Sequence, residues 1–207
     1  TGEEKWQYDA RLPDAIMPCC DVVNRGAAIY GDKIIFATLD ARVVALNRET
    51  GKVVWNKQIA DYKEGYSATA APIIVKGMVI TGNSGGEFGV VGAVEARDVN
   101  TGELIWHYQT TPGDSWDFTA TQHMILADLT IGDRPRAVLM QAPKNGFFYV
   151  LDRETGEFLW ATPTITQNVI SSIDGATGAV TENPELVFSS VGQEVLTCPH
   201  ASGGKDW

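Results

Sequence analysis

ALNRETGKVVW (residues 45–55), AVEARDVNTGELIW (93–106) and VLDRETGEFLW (150–160) are versions of one phrase, and a clipped copy, TGEEKW, occupies residues 1–6. Each runs from Asp or Asn through Thr-Gly into a short apolar stretch closed by Trp, so Trp6, Trp55, Trp106 and Trp160 recur about every fifty residues. The Asx and Thr side chains bond the local backbone and the Gly supplies a positive φ, which is the chemistry of a tight turn. The Trp that follows is placed to pack on a neighbouring unit. Around each phrase, alternating apolar segments at 33–38, 42–46, 76–81 and 147–151 read as short strands. Gly (21) and Pro (9) are spread every few residues, which argues against long helices. Four-stranded units that cannot bury both faces alone stack radially. The expected fold is therefore all-β, a β-propeller with material for about four blades, and the whole of residues 1–207 is taken as one partial propeller domain.

Composition narrows the function more than it defines it. The chain has 207 residues, is 44% hydrophobic and carries a net charge of −10, which repels polyanions and makes nucleic acid an unsuitable partner, whereas metal cations and basic proteins suit it. No apolar run reaches the roughly 20 residues needed to span a bilayer, so the chain is not expected to be transmembrane. The opening TGEEKWQYDA lacks the order of a signal peptide and repeats a mid-chain motif, from which a start further upstream is expected.

Several clusters carry chemistry. Cys19 and Cys20 are adjacent; bonded to each other they would close a strained, flat ring suited to lying on a planar group, and the alternative is two separate buried thiols. Cys198 is expected to be a buried small hydrophobe. In 83–89, NSGGEFG, glycines allow close approach of the backbone to a ligand and Glu87 offers a hard oxygen to a cation, although a metal site needs about six such ligands. Arg25 can fork onto a carboxylate, and Lys144 offers a point charge beside a carbonyl or oxyanion. His107, His123 and His200 lack metal-ligand spacing, and neither a phosphate loop nor a CxxC pair occurs.

Taken in order, CCDVVNRG, YSATAAP, GNSGGEFGVVG, HYQTTPGDSWDFTATQ, APKNGFFYVLDRETG and CPHASGGKDW resemble the pyrroloquinoline quinone (PQQ)-dependent methanol and ethanol dehydrogenases over almost the whole chain. The resemblance implies an eight-bladed propeller of which this chain holds part, and oxidation of primary alcohols by hydride transfer to PQQ with electrons passed to cytochrome c. It implies a periplasmic location, in keeping with a disulfide. It also implies a vicinal disulfide of Cys19 and Cys20 against PQQ, and cofactor contacts from Arg25, Thr69, Ser84, Gly85, Gly86, Lys144, Asp206 and Trp207, the last two standing where relatives usually have Asn-Trp. Glu87 is implied as the ligand of Ca²⁺, or of a lanthanide in its place. Two departures stand out. Trp106 runs directly into His107 where relatives carry a long segment, which by the resemblance supplies an Asn metal ligand and the Asp base; no catalytic base is assigned, and Asp114 and Asp117 match another part of the pattern. An incomplete propeller also leaves open edges, from which low stability alone is expected. A non-catalytic propeller scaffold of the outer-membrane assembly type is the alternative. It accounts for the Trp repeat but not for Cys19-Cys20, Gly85-Gly86-Glu87 or Lys144.

Overall fold

The computed structural model describes residues 2–16, 18 and 22–204. Cys19, Cys20, Asp206 and Trp207 lie outside the described residues.

Among the described residues, three antiparallel four-stranded sheets follow one another along the chain. The first holds β1 (Ala27–Tyr30), β2 (Lys33–Ala37), β3 (Arg42–Asn47) and β4 (Val53–Gln58). The second holds β5 (Ile73–Val75), β6 (Met78–Gly82), β7 (Gly92–Asp98) and β8 (Leu104–Thr111). The third holds β9 (Met124–Ile131), β10 (Arg134–Gln141), β11 (Phe147–Asp152) and β12 (Phe158–Pro163), and a hairpin of β13 (Ile170–Ile173) and β14 (Val180–Glu182) follows. The fold is an all-β, incomplete propeller, and helix among the described residues is limited to single 3₁₀ turns. Of the material expected for about four blades, three form full sheets. The remainder is the two-stranded hairpin, laid against β8 and β12 through Tyr108 and Phe158.

Burial follows from stacking. β3, RVVALN, is buried along nearly its whole length because it has a neighbour on each face, whereas β8, LIWHYQTT, alternates at its exposed outer position. One core lies between the first two sheets, from Ile35, Val43 and Ala45 to Val79 and Val99. A larger one joins the second and third, from Ile80 and Val94 to Leu139 and Tyr149.

The repeated phrase explains how the sheets lock. In each turn one Oδ1 accepts the amide three residues on: Asn47 from Thr50 (3.0 Å), Asp98 from Thr101 (2.8 Å) and Asp152 from Thr155 (3.1 Å). The register then slips by one residue just before the Trp, between Ala45/Leu46, Ala96/Arg97 and Val150/Leu151. A bulge of this kind re-aims the strand end. Trp55 donates its indole N–H to Val99 O (3.0 Å) and Trp106 to Arg153 O (3.2 Å), each on the turn of the next sheet, while Trp6 reaches Arg48 O (2.9 Å). The rings lie so close over the turn glycines that a Cβ on Gly51 would come 2.7 Å from Trp6 and one on Gly156 2.8 Å from Trp106. A fourth turn of the same kind, Asp174 to Gly178, was not read from the sequence because no Trp follows it. Its Asp174 Oδ1 accepts Thr177 N at 2.7 Å, and Gly178 packs under Phe158.

Candidate functional site

In an antiparallel sheet the connections alternate between two ends. The Asx-Thr-Gly turns join β3–β4, β7–β8 and β11–β12 and so share one end. The connections β4–β5, β6–β7, β8–β9 and β10–β11, and the approach to β1, share the other. Every described residue singled out as a candidate ligand falls at this second end, although no two of the segments are neighbours in sequence.

Arg25 enters just before β1. Its backbone N–H donates to Thr69 O (3.0 Å) and its Nη1 to Thr69 Oγ1 (2.7 Å). Thr69 Oγ1 lies 3.4 Å from Ser84 Oγ, which also receives a bond from Ser67 Oγ (3.2 Å). A guanidinium and three hydroxyls thus form one polar strip.

Ser84 leads into the 3₁₀ turn Gly86–Phe88, flanked by Gly85 (φ 117°) and Gly89 (φ 77°). The glycines are also required by packing within the protein. A Cβ on Gly85 would fall 2.3 Å from Gly65 O and one on Gly86 2.3 Å from Asp114 Oδ2, so both are required by packing against protein. This brings Glu87 to the β8–β9 connection.

That connection is organised by Asp114, which is fully buried. Its Oδ1 accepts Trp116 N (3.1 Å) and Phe118 N (3.0 Å) and its Oδ2 accepts Thr119 N (2.7 Å). Burial nevertheless pushes its carboxyl above the ordinary range, against the pull of these three amides. The clamp holds two residues in the left-handed region, Asp117 (φ 62°) and Thr119 (φ 57°). A non-glycine residue held there is a strained arrangement of the kind found at functional sites.

Asp117 is delivered to the site in this way. Lys144, buried in the middle of the β10–β11 connection, donates from Nζ to Asp117 Oδ2 (3.1 Å). The Glu87 carboxyl is raised above its ordinary value, chiefly by desolvation and further by the neighbouring Asp117, against a lowering backbone hydrogen bond and the charge of Lys144. Among the described residues no set of three or more His, Cys, Asp or Glu stands ready for a metal. Glu87 and Asp117 provide two hard carboxylates, a partial shell for a cation that takes six or more oxygens.

The structure therefore gathers Arg25, Thr69, Ser84, Gly85, Gly86, Glu87 and Lys144 at one end, and adds Asp117, a residue to which sequence reading gave no role. The signal that could have found it is weak: a Trp-Asp pair at 116–117, shortly after Asp114, meaningful only once the 27-residue separation from Lys144 is closed by the fold. Cys198, expected to be buried, is instead exposed, its thiol bonded to Thr166 O (2.8 Å), because the segment before it is an irregular loop without a sheet above it.

Comparison with known proteins bears on the whole chain. Residues 87–175 match the family described as PQQ: Glucose/ethanol/alcohol dehydrogenase, beta-propeller domain. The quinoprotein alcohol dehydrogenase PedH of Pseudomonas putida is 32% identical, aligned over 100% of this chain and 51% of its own length. That alignment runs over 311 positions against 207 residues here, so a substantial stretch of the relative has no counterpart within the chain. A 1-butanol dehydrogenase (quinone) of Thauera butanivorans is 58% identical over 112 residues, covering 51% of this chain and 18% of the relative. Among solved structures, a europium-containing methanol dehydrogenase superposes with a TM-score of 0.60 at 29% identity, covering 98% of this chain and 52% of its own. The chain spans about half the length of the full-coverage relatives.

Proposed function

Because residues 87–175 match the PQQ dehydrogenase β-propeller family and the whole chain aligns with quinoprotein alcohol dehydrogenases, we propose that the end carrying Glu87, Asp117 and Lys144 is the reacting part of an alcohol dehydrogenase site that oxidises primary alcohols to aldehydes. The observation that carries the reading is the meeting of these three side chains, with Lys144 Nζ 3.1 Å from Asp117 Oδ2.

The residues present fit the group that the family binds. Arg25 and Lys144 are cations suited to an anionic polyacid, and the hydroxyls of Thr69 and Ser84 lie against Arg25 in the same strip. Glu87 is a hard oxygen donor suited to Ca²⁺ or a lanthanide and would hold part of its shell. When bound, the quinone supplies the hydride acceptor and the metal a Lewis acid.

The chain's own residues then divide the remaining work. Asp117 takes the hydroxyl proton of the alcohol, in the role of base that sequence reading left unassigned. Lys144 orients Asp117 through its ammonium and balances negative charge developing nearby. Asp114 touches none of the reacting atoms and acts by positioning, since its three amide bonds fix the loop on which Asp117 stands. Arg25 and Thr69 would hold the cofactor's acidic groups, and Cys19 and Cys20, by the resemblance, would pair as a vicinal disulfide. Such a bond belongs to an oxidising compartment, and a periplasmic location with a cytochrome c as electron acceptor completes the reading. No helix among the described residues is long and apolar enough to cross a membrane. The scaffold alternative places no demand on Asp117 or Lys144.

The test is titration of the purified chain with PQQ and Ca²⁺, following cofactor fluorescence and dye-coupled ethanol oxidation. Saturable binding weakened by Glu87→Ala is expected, with any turnover lowered at least about 100-fold by Asp117→Asn while PQQ still binds. Absence of saturable binding would overturn the proposal.

A further inference from the structure

The β8–β9 connection that carries Asp117 is held from two sides. Asp114 gives the loop its internal shape, but its three bonds run to residues of the same loop and do not set how that loop sits against the sheets. On one side Ala120 N donates to Asn83 O (3.3 Å) and the Asp114 carboxylate abuts Gly86. On the other the ties come from the hairpin β13–β14 and the 3₁₀ turn Pro184–Leu186 that follows it. Glu182 Oε1 accepts Gly113 N (2.7 Å), and Leu186 O accepts the Trp116 indole N–H (3.1 Å). Asp117 stands directly after Trp116.

The hairpin has other means of docking than Glu182. Val180 and Ile173 pack on the apolar core, and Gly178 O accepts the Tyr108 hydroxyl (2.7 Å). Its base is fixed by Asn183, which donates from its backbone to Val169 O (2.8 Å) and from Nδ2 to Asn168 O (3.1 Å). Glu182 itself is badly placed for stability alone: burial raises its carboxyl against the pull of the Gly113 amide, and the charge of Asp114 raises it further. The same stretch of chain reaches Lys144. Gly204 N donates to Lys144 O (3.1 Å), and Gly203 (φ 86°) packs so closely that a Cβ would come 2.5 Å from the Lys144 Cβ. Resting on the dehydrogenase reading above, we propose that Glu182 is a positioning residue for the proton-accepting Asp117, and that the segment after β12 is a brace holding the Asp117–Lys144 pair in place.

Amide hydrogen exchange of the full chain, followed by mass spectrometry, tests the brace without cofactor or turnover. Glu182→Ala is expected to speed exchange in residues 113–119 at least about tenfold, the size of one lost bond to a charged acceptor, and to leave the first sheet unchanged. Glu182→Gln, which keeps an oxygen for Gly113 N, should restore the protection. Trp116→Phe keeps a ring on Phe118 and loses the bond to Leu186 O; it should loosen the same residues and serves if Glu182→Ala does not fold. Any turnover should fall about tenfold in kcat in Glu182→Ala, with KM changed less than about twofold. Unchanged exchange in 113–119, an equal rise throughout the chain, or a loss confined to KM would overturn the proposal. A parallel PQQ titration separates the two readings. PQQ binding with an unaffected loop removes the brace alone; a loosened loop without PQQ binding removes the dehydrogenase reading and the positioning role with it.

Discussion

The two ends of the propeller are built on opposite rules. At the turn end the same solution recurs: an Asx side chain caps the turn, a bulge re-aims the strand and, in consecutive sheets, an indole crosses to a carbonyl of the next turn. At the other end no two connections are alike, and residues in the left-handed region without being glycine, Asp117 and Thr119, are clamped by a buried carboxylate. Ionisation separates them as well. Asp98 is held below its ordinary pKa by the Thr101 and Asn100 amides and Asp174 by the Thr177 hydroxyl and the Thr177 and Ala176 amides, whereas burial raises Glu87, Asp114 and Glu182. For Asp152 the raising effect of burial is outweighed by the Glu154 and Thr155 amides, the Thr155 hydroxyl and Arg136, and the carboxyl ends low. The repeated end is arranged for stability, and the irregular end bears burial and strain that stability alone would not select.

The comparison can be broken by substitution. The largest effect on stability is expected from Trp106→Ala, which empties a contact between sheets and removes a bond to Arg153 O; a loss of about 3–5 kcal/mol in denaturant unfolding is expected. Lys144→Gln at the other end should reduce turnover far more than it reduces stability, and a Trp-sized loss of stability there would erase the distinction. Next in size, Gly156→Ala combines a φ of 75° with a Cβ 2.8 Å from Trp106 and should cost about 1–3 kcal/mol. Asp174→Ala, which removes the cap of the exposed fourth turn, should cost about 0.5–1.5 kcal/mol in the same assay.

The pH dependence sharpens the contrast. A depressed carboxylate such as Asp98 contributes stability above the ordinary aspartate range near pH 4 and loses it as pH falls through the lowered value. A raised one such as Asp114 has the opposite sign: its contribution is complete below that range and is lost as pH rises through the raised value. Asp98→Asn should therefore flatten the acid side of a stability profile and Asp114→Asn the side above it. The same direction in both variants would contradict the division. For the cysteines, alkylation of the denatured, unreduced chain should label Cys198 alone, with two further labels after reduction. Three labels at the outset would remove the disulfide.

The sequence by itself determined the fold class and the turn end. Asx, Thr, Gly and Trp act within a few residues of one another, their geometry is local, and repetition made the pattern visible, with strands at 33–38, 42–46 and 147–151 found within a residue of β2, β3 and β11. The fourth turn at Asp174 escaped because its partner is Phe158 in place of a following Trp. Candidate ligands such as Arg25, Thr69, Glu87 and Lys144 were legible one by one through their motifs. Only the tertiary structure decided that they share one end of the propeller with Asp117, and that Gly85 and Gly86 leave no room for a Cβ beside Gly65 O and Asp114. The physical reason is distance along the chain: a carboxylate and an ammonium 27 residues apart, on separate connections, meet only when the alternation of antiparallel strands returns both connections to the same end.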